Sequence, residues 1–211
     1  MNQYSLNTLA HQLAAQLAFT QELLCRQIIH TIAEFGQPIA PASLATHLQM
    51  SDNELQTRLA RIPDTEFDEQ GNIVGWGITL LPTQHQFFLQ EYPLFTWCAF
   101  DTVLFPPLLQ TKAQVQSICS TSGQTITFVS TPTGITDLFP ATSMLSLTLP
   151  TEQCKHVRGT FCHQSLFFQS GEAAEPWLRS HPEATLLTIE DAATIGHIIA
   201  REWPYEETVR T

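Results

Sequence analysis

The sequence predicts an α+β protein with a winged-helix-like N-terminal part that includes a β-hairpin and a C-terminal part of mixed helices and strands. Apolar residues at helical spacing dominate the beginning of the chain. Two strand-like runs around a turn follow them, and the rest of the chain mixes strands with helices. At 211 residues, 43% of them apolar, the chain is long enough for one large domain or two small ones with a hydrophobic core.

The first predicted domain covers residues 1–80 and begins with helical sequence. Leucine and isoleucine recur at helical spacing through residues 5–35, which predicts a helix that is broken at most once. Gly36, Pro38 and Pro41 end that segment, because glycine and proline rarely continue a helix.

Two short helices and a hairpin complete this domain. One helix is predicted over residues 42–48, and the capping-box pattern at Ser51–Glu54 predicts the start of the next. Strand-like runs at residues 65–67 and 73–78 flank a turn and predict a β-hairpin. Short helices followed by a hairpin resemble a winged helix.

The second predicted domain covers residues 81–211 and starts with a linker at about residues 82–86. A short helix is predicted from Leu94 to Phe105, because the Pro106-Pro107 pair that follows cannot continue a helix. The further predicted elements are strands at 115–119, 125–129, 144–149 and 161–168, a helix at 173–179, a strand at 185–189 and a helix at 190–202. Such a mixture is typical of an α+β fold.

The chain is acidic, with a formal net charge of −11 at pH 7. Its Lys and Arg residues form no stripe, so we expect no binding to nucleic acid, whose phosphates an acidic surface repels. The N-terminal residues have no positively charged start and no continuous apolar stretch, so no secretory signal is expected. The most apolar window, residues 95–109, is interrupted by Asp101 and two prolines. We therefore expect a cytoplasmic protein that does not associate with a membrane.

The chain has five cysteines, at positions 25, 98, 119, 154 and 162. They form no C-x-x-C pair and fit no structural zinc spacing, so free thiols are expected in a reducing compartment. Cys25 lies on an apolar helix face and is predicted to be in the core. Cys154 lies in a polar stretch beside Lys155, which predicts an exposed thiol whose ionisation the lysine favours.

The segment Phe95–Thr102 carries the strongest chemical signal. Cys98 is predicted in the first turn of a helix, where backbone N–H groups and the helix dipole favour a thiolate. Asp101, three residues on, shares a helix face with Cys98, so one proton can pass between them. A cysteine is more often an inert core residue, but an unpaired carboxylate inside an apolar helix is costly and favours a functional interpretation.

Three segments of the chain resemble the organomercurial lyases, also called alkylmercury lyases. They are Tyr92–Pro106 with its Trp-Cys-Ala-Phe-Asp-Thr string, Val157–Phe168 with Cys162, and the hairpin Thr65–Leu80. The resemblance extends over about residues 40–200 in one order. It implies a winged-helix-like part packed on an α+β catalytic part.

The resemblance also implies the roles of individual residues. Cys98 and Cys162 would take the place of the family's two mercury-binding cysteines, and Asp101 that of its proton-handling aspartate. The same three residues would hold the mercury of the substrate and of the product. The substrate pocket is expected to be formed by three aromatic residues, Trp97, Phe100 and Phe161.

Two further positions follow from the same resemblance. Cys119 matches a cysteine that the family uses for structure. His163 stands where some relatives have a second cysteine adjacent to the catalytic one, which leaves only an accessory role open at this position.

The implied reaction is protonolysis of a carbon–mercury bond, which gives a hydrocarbon and Hg(II) and serves mercury detoxification. Mercury is a soft cation that prefers thiolates, and a neighbouring carboxylate can act first as a general base and then as a general acid. No cofactor is expected. Excess small-molecule thiols are expected to remove Hg(II), and a mercuric reductase is a further candidate acceptor.

Three other functions fit parts of the sequence. A thiol hydrolase needs a cysteine–histidine pair, but Cys162 and His163 point to opposite faces of the predicted strand. A thiol-sensing winged-helix regulator needs a basic surface, whereas residues 38–80 contain six acidic residues and two basic ones. A metal-binding protein without catalysis would use the same cysteines and leave Asp101 with little to do, while Cys154 alone would only scavenge mercury.

Overall fold

The computed structural model describes residues 3–17, 23–89, 92–150, 154 and 156–203. Within these ranges the chain forms seven α-helices and eleven β-strands, which confirms the α+β class. The helices are α1 (Gln3–Gln16), α2 (Leu23–Phe35), α3 (Pro41–His47), α4 (Asp52–Leu59), α5 (Asp101–Leu109), α6 (Gly171–Ser180) and α7 (Ile189–Glu202). The strands are β1 (Glu66–Phe67), β2 (Ile73–Trp76), β3 (Ile78–Thr79), β4 (His85–Leu89), β5 (Tyr92–Thr96), β6 (Ala113–Ile118), β7 (Thr125–Thr131), β8 (Gly134–Phe139), β9 (Met144–Leu147), β10 (Phe167–Phe168) and β11 (Thr185–Thr188).

Eight of the strands form one antiparallel sheet in the order β1-β2-β3-β5-β4-β6-β7-β8. The other three form a small antiparallel sheet in the order β10-β9-β11. In the large sheet, β3 pairs with β5, and Ile78 lies opposite Thr96. The hairpin strands of the first predicted domain therefore continue into the sheet of the second, while the boundary at residue 80 stays a prediction.

Helix α5 lies in the centre of the core, packed between α7 and strands β6 and β7. Its residues from Asp101 to Leu108 are all buried. The two helices approach so closely that a side-chain Cβ at Gly196 would lie 2.7 Å from the carbonyl oxygen of Val103. Glycine is therefore required where α7 crosses α5. This contact fixes the helix whose first residue is Asp101.

The predicted capping signal is confirmed at the start of α4, and a similar cap lies at the start of α7. The hydroxyl of Ser51 accepts a hydrogen bond from the backbone N–H of Glu54, as the capping-box pattern predicted. Thr188 accepts from the N–H of Asp191 in the same way at the start of α7. Among the helices in the described part of the chain, none combines the length and the apolar character that crossing a membrane requires.

The predicted helix from Leu94 to Phe105 is wrong at both ends. Tyr92–Thr96 form strand β5 instead, because this apolar segment pairs with β3 on one side and β4 on the other. The helix begins only at Asp101 and continues through Pro106 and Pro107 to Leu109. Burial of its apolar residues stabilises this helix and offsets the loss of the backbone hydrogen bonds that the prolines cannot make.

Three other element predictions are also corrected. The predicted strand 161–168 is a 3₁₀ turn at Cys162–Gln164 followed by β10, because the N–H groups of Gln164 and Ser165 bond to carbonyls three residues back. Part of the predicted linker at residues 82–86 belongs to β4. Strand β8 was not predicted from the sequence.

Candidate active site

Two thiols and one carboxylate form a compact cluster inside the molecule. The sulfur atoms of Cys98 and Cys162 and a carboxylate oxygen of Asp101 lie within 4.8 Å of one another. Cys98 is 0% exposed, and Cys162 and Asp101 are each 6% exposed. Among the residues that the structure describes, no other group of three His, Cys, Asp or Glu side chains has this metal-binding geometry. The fold thus brings together the three residues that the sequence singled out.

Cys98 lies in the tight connection between β5 and α5 and not in the first helical turn, so its predicted position is corrected. The chain leaves β5 with the backbone N–H of Trp97 donating to the carbonyl of Gly77 at 2.9 Å. The hydroxyl of Thr96 donates to the Cys98 carbonyl at 3.0 Å. The Cys98 N–H donates to a carboxylate oxygen of Asp101 at 3.1 Å. Hydrogen bonds to Gly77 on the β5 side and to Asp101 on the α5 side therefore hold the connection in place.

Cys162 reaches the cluster from the 3₁₀ turn that precedes β10. Its backbone N–H donates to the carbonyl of Val157 at 3.0 Å, which closes the turn that leads into the 3₁₀ turn. The neighbouring His163 lies on the exposed side of the same turn. Unlike the predicted strand, this turn buries the Cys162 sulfur without placing successive side chains on opposite faces of a sheet.

Ser165 connects the two thiol-bearing segments, and its role was not predicted from the sequence. Its hydroxyl accepts from the N–H of Phe100 at 3.0 Å, and its carbonyl accepts from the N–H of Ala99 at 3.2 Å. The hydroxyl also forms a hydrogen bond with the thiol of Cys98. A single serine three residues after a cysteine has no sequence signal that could reveal this role, because all of these partners are distant in the chain.

Burial dominates the proton affinities in the cluster. It raises the pKa of Asp101 to about 7, against the opposing effect of hydrogen bonds from the Cys98 thiol and from two backbone N–H groups. Burial also raises the pKa of Cys98, although its hydrogen bond with Cys162 acts in the opposite direction. The pKa of Cys162 is raised well above its ordinary value by burial and by its proximity to Cys98.

The expectation that a helix start favours the Cys98 thiolate is therefore wrong, because burial outweighs the local dipole. The resting thiols hold their protons. The carboxyl group is the member of the cluster that titrates near neutral pH. A partner that stabilises the thiolate, such as a soft cation, would favour transfer of a proton from a thiol to Asp101.

The three predicted pocket residues are buried and make aromatic contacts. Phe100 and Phe161 are buried and meet edge to face, with ring centroids 5.9 Å apart. The ring of Trp97 lies 5.2 Å from that of Trp76. A cavity of about 410 Å³ borders Phe161, and its lining does not include Trp97 or Phe100. The pocket role of these residues stays a prediction.

The remaining cysteines lie elsewhere. Cys25 is buried in α2, as predicted. Cys154 is 7% exposed and contacts the Thr160 hydroxyl at 2.5 Å, so the prediction of an exposed thiol is wrong. At Cys119, burial raises the thiol pKa, but hydrogen bonds from Ser122, Thr121 and neighbouring backbone outweigh it and lower the pKa to about 7.

The chain is similar to known proteins over most of its length. A family model described as MerB, alkylmercury lyase, matches residues 78–201. The chain is 38% identical over 179 residues to the alkylmercury lyase of Pseudomonas putida, covering 85% of this chain and 82% of that protein. It is 36% identical over 192 residues to the alkylmercury lyase of Staphylococcus epidermidis, covering 90% of this chain and 87% of that protein.

A solved structure has the same fold. The crystal structure of the mercury-bound form of MerB2 matches with a TM-score of 0.76 at 22% sequence identity, over 94% of this chain and 98% of that chain. The family model covers more than half of the chain, and the sequence relatives cover most of it. The chain therefore belongs to the alkylmercury lyase family.

Proposed function

We propose that this protein cleaves the carbon–mercury bond of organomercurials by protonolysis at Cys98, Cys162 and Asp101. The observation that carries the proposal is the buried cluster of two sulfurs and one carboxylate within 4.8 Å. Mercury binds thiolates more strongly than oxygen or nitrogen ligands, so two sulfurs at this separation suit a mercury atom between them. Membership of the alkylmercury lyase family supports the same reaction.

The reaction begins with exchange of a ligand on mercury. The thiol of Cys98 displaces the leaving thiolate of the organomercurial, and Asp101 accepts the Cys98 proton as a general base. A proton then passes to the leaving thiolate, which departs as a free thiol. Mercury supplies the stabilisation that a buried thiolate lacks in the resting protein, because burial raises the pKa of the Cys98 thiol.

Bond cleavage uses the second thiol and the same carboxyl group. Cys162 binds mercury as a thiolate, and its proton passes to Asp101. Two thiolates place more electron density on the metal and make the attached carbon more basic. Asp101 then protonates that carbon as a general acid, and the carbon–mercury bond breaks. One organomercurial and two thiols thus yield one hydrocarbon, one released thiol and Hg(II) on both sulfurs.

The raised pKa of Asp101, about 7, supports both of its roles. A carboxyl group with a pKa near the ambient pH can accept a proton in one step and donate it in the next with small energetic cost. An ordinary surface carboxylate would accept a thiol proton too weakly for this reaction. Burial is the cause of the shift.

Product removal completes the proposed cycle. Hg(II) stays on Cys98 and Cys162 until small-molecule thiols in excess displace it, and a mercuric reductase is a further proposed acceptor. The proposed reaction uses no cofactor, since the thiols of Cys98 and Cys162 supply the two protons and Asp101 transfers them. A cytoplasmic location is proposed because it would supply these thiols and keep the cysteines reduced.

The N-terminal part is proposed to serve as a winged-helix-like scaffold, with residues 1–80 as one domain and residues 81–211 as the catalytic domain. Helices α3 and α4 followed by the β1–β2 hairpin support this interpretation. The acidic residues of the segment argue against binding to nucleic acid. The pairing of β3 with β5 attaches the scaffold to the connection that carries Cys98.

Hydrocarbon release tests the proposed function. Methane from methylmercury is measured in excess thiol for the wild type and for the Cys98→Ala and Cys162→Ala variants. Both variants are expected to lose turnover, since each leaves mercury with a single sulfur. Cys25→Ala, which removes a buried thiol in α2, is the matched control and should keep turnover. Wild-type rates in both site variants would contradict the proposal.

A further inference from the structure

Glu66 is a buried acid outside the thiol cluster with two specific partners. It lies on β1 and is only 9% exposed. One carboxylate oxygen accepts a hydrogen bond from the indole N–H of Trp97 at 3.0 Å. The other oxygen pairs with the guanidinium of Arg158. A carboxylate is retained at such a buried position only when charged or N–H partners replace its water shell.

The three side chains form a closed triangle. The guanidinium carbon of Arg158 lies 5.5 Å from the centroid of the Trp97 ring, so its charge also faces the indole π system. Each of the three residues therefore contacts the other two. Removal of any one of them would leave each of the other two with one partner of the triangle instead of two.

The hairpin leaves space for this carboxylate. Gly75 lies opposite Glu66 in the β1–β2 pairing. A Cβ at Gly75 would lie 2.5 Å from Oε2 of Glu66 and 2.6 Å from the side chain of Thr79. Only glycine admits the Glu66 side chain in its observed position. This is a second observation, independent of the hydrogen bonds, that the hairpin accommodates the acid.

The triangle connects the two segments that carry the thiols. Trp97 directly precedes Cys98 in the chain. Arg158 directly follows Val157, whose carbonyl accepts the hydrogen bond from the N–H of Cys162. The Arg158 N–H also donates to Asp64 at 3.2 Å, just before β1. One carboxylate on the hairpin is thus bonded to a residue next to each thiol segment.

We propose that Glu66 is a positioning residue, which sets the separation of the Cys98 and Cys162 sulfurs by holding Trp97 and Arg158 together. The inference rests on the proposed function. The segment from His156 to Gln164 consists of turns without strand pairing, so side-chain contacts must hold it. Catalysis needs both sulfurs on one mercury atom, and small errors in such a geometry are costly to the rate.

The test compares Glu66→Gln, Arg158→Met and the double variant with the wild type. Glutamine keeps the size of the side chain and an acceptor for Trp97 but loses the ion pair. We expect a decrease in kcat of about 10- to 100-fold with little change in KM, since the geometry of reacting groups is disturbed. The double variant should be no slower than the slower single one, because the residues act as a unit.

The matched control is Glu54→Gln. Glu54 and Arg58 form an ion pair of 2.7 Å between exposed side chains on α4, a helix that carries no residue of the thiol cluster. Loss of this pair should leave kcat unchanged. If Glu66→Gln fails to fold, Arg158→Met carries the test, because the Arg158 side chain is far more exposed than that of Glu66.

A second readout separates this inference from the proposed function. Mercuric chloride alone is bound to each variant, and retention of Hg(II) against an excess of a monothiol is followed by the ultraviolet absorption of the mercury–thiolate bonds. A wider sulfur separation should release Hg(II) at least about tenfold faster than in the wild type, because bidentate binding is weakened. This measurement requires no turnover.

The outcomes are distinct. Slow turnover and rapid loss of Hg(II) in both single variants, with the control unchanged, support the positioning role. Wild-type retention of Hg(II) in Glu66→Gln and Arg158→Met would overturn it, as would full additivity in the double variant. A wild-type protein that releases no hydrocarbon would refute the proposed lyase function instead, and Hg(II) retention would still decide the role of Glu66.

Discussion

The carboxylate of Asp101 bonds to Cys98 twice, accepting the backbone N–H at 3.1 Å and forming a hydrogen bond with the thiol. The first contact orients the connection between β5 and α5, and the second places the carboxylate beside the thiol. Under the proposed function, this one side chain therefore has two roles, to orient the connection and to transfer the proton.

Asp101→Asn is expected to stop proton transfer while keeping the turn. The amide oxygen still accepts the Cys98 N–H, but it cannot take a proton from the thiol. We expect kcat for hydrocarbon release to fall at least about 100-fold, the usual range for loss of a general acid–base. Gas chromatography of the released hydrocarbon measures the effect. Asp52→Asn, at an exposed acid in the first turn of α4, is the control. Undiminished turnover in Asp101→Asn would place the proton source elsewhere.

The reaction rate should depend on pH through Asp101. Burial raises the pKa of this carboxyl group to about 7, and only its ionised form can accept the Cys98 proton. The value of kcat/KM should therefore rise as the pH increases through about 7, whereas an ordinary carboxylate would be ionised throughout this range. Initial rates measured from pH 5 to pH 8 show whether kcat/KM rises in this way. A flat profile would contradict the assignment of Asp101 as the base.

Ser165→Ala is expected to reduce both stability and turnover. The change leaves the buried N–H of Phe100 without its acceptor and removes a hydrogen bond to the Cys98 thiol. Loss of a partner for a buried donor costs about 1–3 kcal/mol in the free energy of unfolding. Urea unfolding and hydrocarbon release measure the two effects. Ser122→Ala, which removes an exposed hydroxyl bonded to Gln169, should change neither by a comparable amount.

Gly196→Ala tests the contact that holds α5 in place. The added methyl group would lie 2.7 Å from the Val103 carbonyl oxygen, so α7 must move away from α5. We expect a loss of about 1–3 kcal/mol in the free energy of unfolding, typical of overpacking in a core. Gly171→Ala is the control, because a Cβ there meets nothing within 4 Å. Equal thermal stability of the two variants would show that the helices can separate at little cost.

Elements with local signals were predicted well from the sequence. The capping box at Ser51 and the C-terminal helix that ends at Glu202 match the structure closely. The turn between β1 and β2 also follows from nearby residues. Hydrogen bonds within one turn of chain decide these features, so the sequence is sufficient to locate them.

Elements that depend on distant partners were predicted poorly. The segment from Tyr92 to Thr96 is apolar and short, a pattern that fits a buried strand or a helix equally well. Two neighbouring strands decide the outcome, because they pair with both edges of this segment. The same holds for Ser165 and Glu66, whose partners lie far away in the chain. Residue type alone could not mark them as part of the site.

The sequence by itself determined the family and the three residues that the proposed reaction needs, two cysteines and one aspartate, because a string around Cys98 and a second segment around Cys162 are specific enough to recognise. Only the tertiary structure decided the separation of these groups and their proton affinities. Burial depends on the whole surrounding core, and it is burial that raises the thiol pKa of Cys98 and moves the pKa of Asp101 to about 7.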